Sequence, residues 1–140
     1  MSGDPKLELL ARVPLFAGCS RSAVNAIAGL VDEVDVPDGK ILLHQGAMAH
    51  EFFLILQGRV RIERDGHVLG YLGPGEFMGE IALIDKGPRT ATATAEGPGR
   101  VGVLAPREFH SLLDTHADVR MAVLQALARR VRHLEPDRIE

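Results

Sequence analysis

Gly75-Glu76-Phe77-Met78-Gly79-Glu80-Ile81-Ala82-Leu83-Ile84-Asp85-Lys86-Gly87-Pro88-Arg89-Thr90-Ala91-Thr92 is the stretch that decides how this chain reads. It breaks a series of strand-like segments with one short helical piece, expected from Glu80 to about Asp85. A single helical turn among strands has a local job. It turns unsatisfied N–H groups and a positive dipole end toward an anion. Gly79, at its mouth, lets that anion approach the backbone. Glu80 opens the piece, where a carboxylate suits the dipole. Arg89 follows the Gly87-Pro88 turn and leads into the next strand. One guanidinium with one helix end suits a singly charged anion. The carboxylate would repel a second charge, so it serves a hydroxyl donor. Phosphate and hydroxyl side by side describe a sugar phosphate.

The sequence around this stretch reads as short strands. From Gly39 to Gly102 a glycine recurs every few residues, and outside that range glycine nearly vanishes. Such punctuation marks tight turns between strands. Val34 and Val36 alternate with acidic residues, Pro37-Asp38-Gly39 is a turn by its chemistry, and Lys40 to Gln45 is a candidate strand. Phe52 to Leu56 is apolar throughout and is expected to be covered on both faces. Gly58 separates it from the alternating Arg59 to Arg64. Asp65-Gly66 is a two-residue hairpin signal, and Val68 to Leu72 returns. Thr90 to Ala95 alternates again, and Val101 to Leu104 completes the set. This number of short strands suggests a barrel or jelly roll.

Both flanks read as helical. Leu7, Leu9 and Leu10 begin a short segment that stops near Pro14. Ser20 is a candidate N-cap before Val24, Ile27 and Val31. Pro106 suits a first helical turn, with Phe109, Leu112 and Leu113 on one face. Thr115 with Asp118 resembles a capping box. Val119, Val123, Leu124, Leu127, Val131 and Leu134 form the stripe of a longer helix. The cations Arg129, Arg130, Arg132 and His133 suit its C-terminal dipole.

Composition bounds the function. With 140 residues, 46% hydrophobic and 25% charged, the chain fits one globular domain. A net charge of −3 gives no bulk attraction to nucleic acid or anionic lipid. The lone Cys19 excludes a disulfide framework and reads as a small buried thiol in a reducing compartment. The start lacks the apolar run of a signal peptide, and no run approaches a membrane span. A cytoplasmic protein is expected. The six histidines are scattered, so no metal site is expected.

The central stretch resembles the phosphate-binding cassette of the cyclic nucleotide-binding domain family. The family pattern F-G-E-[LI]-A-L, a short loop, then P-R-[AST]-A-[ST] appears here as Met78-Gly79-Glu80-Ile81-Ala82-Leu83 and Pro88-Arg89-Thr90-Ala91-Thr92. Met78 in place of phenylalanine is the one departure. The resemblance spans nearly the whole chain, through Val13 to Phe16, Phe52 to Val60 and Leu72 to Phe77. It implies a mainly β fold with flanking α-helices. That fold is an eight-stranded jelly-roll β-sandwich between N-terminal helices (about 1–32) and C-terminal hinge and lid helices (about 106–135). The roll would run from about 33 to 105, with the cassette at 78–92.

The same resemblance implies site roles. Arg89 would hold the exocyclic phosphate oxygens and Glu80 the ribose 2′-hydroxyl. Gly79 would allow close approach to the ribose. Backbone of Ile81, Ala82, Thr90 and Ala91 would complete the cradle. Ile62 and Leu72 are candidates for the wall against the base. Alanine directly after the arginine goes with cAMP in the family, and threonine often goes with cGMP. Bacterial cAMP binders also carry small hydroxyl residues there, so cAMP is the first expectation and cGMP the second.

The function expected is a regulatory sensor, not an enzyme, whose C-terminal helix changes on ligand binding and could join two copies. The alternative is the sensor half of a catabolite-activator-type transcription regulator. No recognition helix precedes Glu140, so direct contact with nucleic acid by these residues is not expected. A start at Met1 speaks against a missing upstream region. A cupin-like enzyme would need a histidine–carboxylate metal set that cannot be assembled here.

Overall fold

The computed structural model describes residues 5–48, 51–79 and 87–134. The chain divides into two compact units, residues 30–109 and residues 1–29 with 110–140. The first is built on strands and the second on helices.

Six strands make up the sheet unit among the described residues: β1 (Asp32–Val36), β2 (Ile41–Leu43), β3 (Phe52–Arg64), β4 (His67–Leu72), β5 (Phe77–Met78) and β6 (Thr92–Leu104). All pair antiparallel. β3 and β6 run side by side through 13 residues each and form the spine. The first half of β3 pairs with β5 and the second half with β4. The first half of β6 pairs with β2 and the second half with β1. Counted by halves, these are eight strand segments in two groups of four, the arrangement of a jelly roll. The sequence separates each long strand into two because glycine interrupts it. In the structure those glycines are bulges inside a continuous strand.

The β3–β6 register shifts between Ile55 and Gln57 and again between Gln57 and Arg59. Bulges bend a strand and increase its twist. Here the two backbones nearly touch. A Cβ on Gly58, whose φ is +94°, would lie 2.9 Å from Gly99 Cα. One on Gly99 would lie 2.6 Å from the Gln57 carbonyl oxygen. Only glycine fits at this crossing.

The bend brings inner residues of both groups into one core: Val36, Leu43, Phe53, Ile55, Val60, Met78, Ala93, Ala95 and Val101. Phe52 to Leu56 is buried at every position, as its unbroken apolar run requires. Phe53 and Ile55 face the roll, while Phe52 stacks on Phe77 at 5.5 Å and on Phe109 at 4.6 Å. Each such side chain contributes about 1.5–3 kcal/mol by burial. The Asp65-Gly66 turn has φ of 53° and 80°, as a two-residue hairpin loop demands.

The helical unit holds α1 (Pro5–Ala11), a 3-10 turn (Pro14–Phe16) and most of α2 (Arg21–Leu30). It also holds the end of α3 (Pro106–Thr115) and all of α4 (Ala117–Leu134). Ser20 caps α2 as expected, its Oγ accepting from Ala23 N at 3.1 Å. The Thr115–Asp118 capping box does not form. Thr115 ends α3 and donates to Ser111 O, and α4 begins only at Ala117. Asp118 instead accepts from Ser20 N at 2.8 Å, which holds its carboxyl below the usual range. Cys19 is half-buried, and partial burial, then Asp118, push its thiol up.

The expected single stripe of α4 is divided in two. Val119 and Val123 are buried, while Met121, Leu124 and Val131 are exposed. Among the described residues no helix is long and apolar enough to cross a membrane.

Candidate ligand site around Arg89

Arg89 sits just before β6 and is anchored by backbone on both sides. Its N–H donates to Ala47 O at 2.8 Å, and its carbonyl accepts from Gly46 N at 2.9 Å. These two bonds tie the Arg89 segment to the loop after β2. The side chain is turned inward, and the residue is only 4% exposed. Its Nη2 donates to Glu51 O at 2.8 Å and its Nη1 to Gly79 O at 3.1 Å. The Glu51 carboxylate stands 3.8 Å from Nη2 and is half-exposed. The guanidinium is therefore fixed in plane by the start of β3 and the end of β5.

Gly79 makes room for it. Its φ is +92°, and a Cβ there would lie 2.6 Å from Glu51 O. The sequence reading gave this glycine to ligand approach. The structure shows a second reason, which is that the Arg89 guanidinium occupies the space.

The remaining expected site residues divide as follows. Ala91 is buried directly after the arginine segment. Ile62 and Leu72 are half-buried and pack against the core from β3 and β4. Ile62 stands opposite Gly70 and Ala93, and Leu72 opposite Val60. Thr90 is exposed, and its carbonyl accepts from Arg64 Nε at 2.8 Å. Glu80, Ile81 and Ala82, with the helical piece expected from Glu80 to Asp85, lie outside the described residues.

A cleft of about 570 Å³ opens beside Arg89, lined by Gln45, Gly46, Arg64, Gly87, Pro88, Arg89 and Thr90. That volume falls within the range of small-molecule sites. Gln45, Glu51 and Arg64 were not singled out from the sequence. Each is a polar residue in a loop or at a strand end. The signal for Glu51 is only its place before the apolar run. The signal for Arg64 is its alternation with Val60 and Ile62. Among the described residues no group of three or more His, Cys, Asp or Glu is placed to hold a metal.

The sequence model described as "Cyclic nucleotide-binding domain" matches residues 33–116. The CRP-like cAMP-activated global transcriptional regulator of Mycobacterium tuberculosis is 32% identical over 130 residues, which is 89% of this chain and 58% of that protein. The chain thus spans somewhat over half the length of that relative. The crystal structure of the Thermus thermophilus catabolite activator protein superposes with a TM-score of 0.80 at 30% identity, covering 89% of this chain and 61% of that one. The N-terminal domain of a transcriptional regulator from Streptomyces coelicolor A3(2) superposes with a TM-score of 0.71 at 31% identity, covering 94% and 95%.

Proposed function

Because the chain belongs to the cyclic nucleotide-binding domain family, we propose that it is a cytoplasmic sensor that binds a 3′,5′-cyclic nucleotide, cAMP first, and leaves it chemically unchanged. The observation that carries this reading is the buried Arg89 guanidinium, held by Gly79 O and Glu51 O beside an open cleft. A guanidinium already fixed in plane loses little entropy in meeting an anion, and its planar fork suits the paired oxygens of a phosphate. Gly79, Arg89 and Thr90 take the ligand roles that the motif assigns, with Ile62 and Leu72 walling the base. Glu80 receives the ribose hydroxyl. Named relatives respond to cAMP, which supports the choice of base.

Thermal unfolding with added nucleotide tests this. A ligand present at 100 times its Kd stabilises a protein by about 2.7 kcal/mol. Cyclic AMP should raise Tm by several degrees, linear 5′-AMP should not, and chromatography should recover the cyclic nucleotide intact. Recovery of hydrolysed nucleotide would overturn the assignment as a sensor.

A second observation bears on output. Ala117, Met121, Leu124, Ala128 and Val131 recur along α4 at four- and three-residue steps, and all are exposed. That is the spacing of a coiled-coil seam. It supports pairing of α4 with α4 of a second copy, as the sensor half of a transcription regulator would use. Leu124→Glu should lower the mass seen by light scattering from dimer to monomer. An unchanged mass would remove α4 from the interface.

A further inference from the structure

Val60, Ile62 and Arg64 alternate along β3 and so share one face. Val60 lies in the core, Ile62 packs on its margin, and Arg64 emerges at the open end of the same face. The guanidinium of Arg64 is oriented by its Nε, which donates to Thr90 O at 2.8 Å. Its terminal nitrogens make no other hydrogen bond or ion pair among the described residues, and Arg64 lines the cleft together with Thr90 and Arg89.

The backbone beneath Arg64 is held as well. Asp65 N donates to Gln45 Oε1 at 2.9 Å, and Gln45 Nε2 donates to Asp65 Oδ1 at 2.8 Å. Gln45 N in turn donates to Thr92 Oγ1 at 3.0 Å. This reciprocal pair secures the hairpin tip, where Asp65 adopts a φ of 53°. Arg64 is therefore presented to the cleft by a fixed strand end, not by a swinging loop.

Resting on the cyclic-nucleotide reading above, we propose that Arg64 is a base-selecting residue of this site. It admits guanine beside adenine by donating to a pair of acceptors that adenine lacks. Guanine presents N7 and O6 side by side as acceptors, whereas adenine presents N7 beside an N6 donor. A guanidinium only donates, so it matches the guanine edge at two points and the adenine edge at one. With phosphate at Arg89 and base along Ile62 and Leu72, the outer edge of the base reaches the rim where Arg64 stands.

Calorimetric titration of cAMP and cGMP into the parent, Arg64→Gln and Arg64→Lys proteins tests this. Circular dichroism first confirms that each variant is folded, as expected for an exposed position. The parent should bind both nucleotides. Arg64→Gln should weaken cGMP about ten- to hundred-fold, the loss expected for one bidentate pair, and cAMP less than about two-fold. Arg64→Lys should fall between, because it keeps the charge without the fork. Equal weakening of both ligands would make Arg64 only a brace for Thr90 and overturn the proposal, as would an unchanged ratio. A parent that binds cAMP but not cGMP would overturn it while leaving the site reading intact. A parent that binds neither would remove both.

Discussion

The Nη1 of Arg89 lies 3.1 Å from the carbonyl oxygen of Gly79, and a Cβ added to Gly79 would stand 2.9 Å from that same nitrogen. The glycine and the arginine thus define one feature. The first vacates the volume that the second fills, and its carbonyl then orients the guanidinium.

Gly79→Ala should therefore do two kinds of damage. The left-handed φ alone costs roughly 1 kcal/mol for a residue with a Cβ. Displacing Arg89 adds to that and should abolish ligand binding. Gly39→Ala is the control, because its φ is +83° but nothing lies within 4 Å of the added carbon. Chemical denaturation should show the Gly79 variant losing clearly more stability than the control. Equal losses would mean that Arg89 does not need this space.

Arg89→Ala should weaken cyclic nucleotide by about ten-fold to over a hundred-fold, from loss of a charge-assisted pair of ~1.5–3 kcal/mol. It should also lower stability by about 1–3 kcal/mol, since Glu51 O and Gly79 O lose their donor. Arg89→Lys should restore part of each, because one ammonium cannot reproduce the planar fork. Calorimetry and denaturant titration read the two effects separately. Full-strength binding by the alanine variant would exclude Arg89 from the site.

The parts legible in the sequence were those fixed by local chemistry. Asp65-Gly66 marked the hairpin and Ser20 the helix cap, and Gly79 and Arg89, both named from the motif, lie against each other in the structure. What escaped depends on distant partners. Gly58 looked like a strand break because a left-handed glycine usually ends a strand, yet Gly99 opposite it allows a bulge. Thr115 and Asp118 had capping-box spacing, but Asp118 is claimed by Ser20, 98 residues away. Arg64 carries no signal beyond its place in an alternating strand, because the Thr90 carbonyl that it meets lies 26 residues away. Leu124 and Val131 belong to a stripe long enough to leave part of its length uncovered, and they stand exposed on α4.

Glu96 of β6 ties to Arg59 and Arg61 of the neighbouring β3 on the outer face of the roll. It accepts from Arg61 at 2.7 Å and from Arg59 at 2.8 Å, while Arg59 also lies 4.0 Å over the Tyr71 ring. Arg61 first, then Arg59, hold its carboxyl below the ordinary value of 4.5. A carboxyl depressed on folding adds stability above its unfolded pKa and loses it as pH falls through the folded one. The parent should therefore lose Tm progressively below about pH 4.5, and Glu96→Gln should flatten that fall. Parallel Tm curves for the two proteins would show that the network adds nothing.

On ligand binding, α4 should change its amide exchange more than the Phe52 to Leu56 part of β3, whose side chains are all buried. Exchange measured with and without cAMP gives the comparison. Protection confined to the segment around Gly79 and Arg89 would make the protein a passive binder and not a switch.

The most direct measurement is calorimetric titration of cAMP and 5′-AMP into the parent and Arg89→Lys proteins. The cyclic ester carries one negative charge, and the open monophosphate carries nearly two at pH 7. The parent should bind cAMP at least tenfold more tightly than 5′-AMP, and Arg89→Lys should reduce that preference. Equal affinity of the parent for the two nucleotides, or no binding of cAMP, would contradict the assignment of a cyclic-nucleotide site at Arg89.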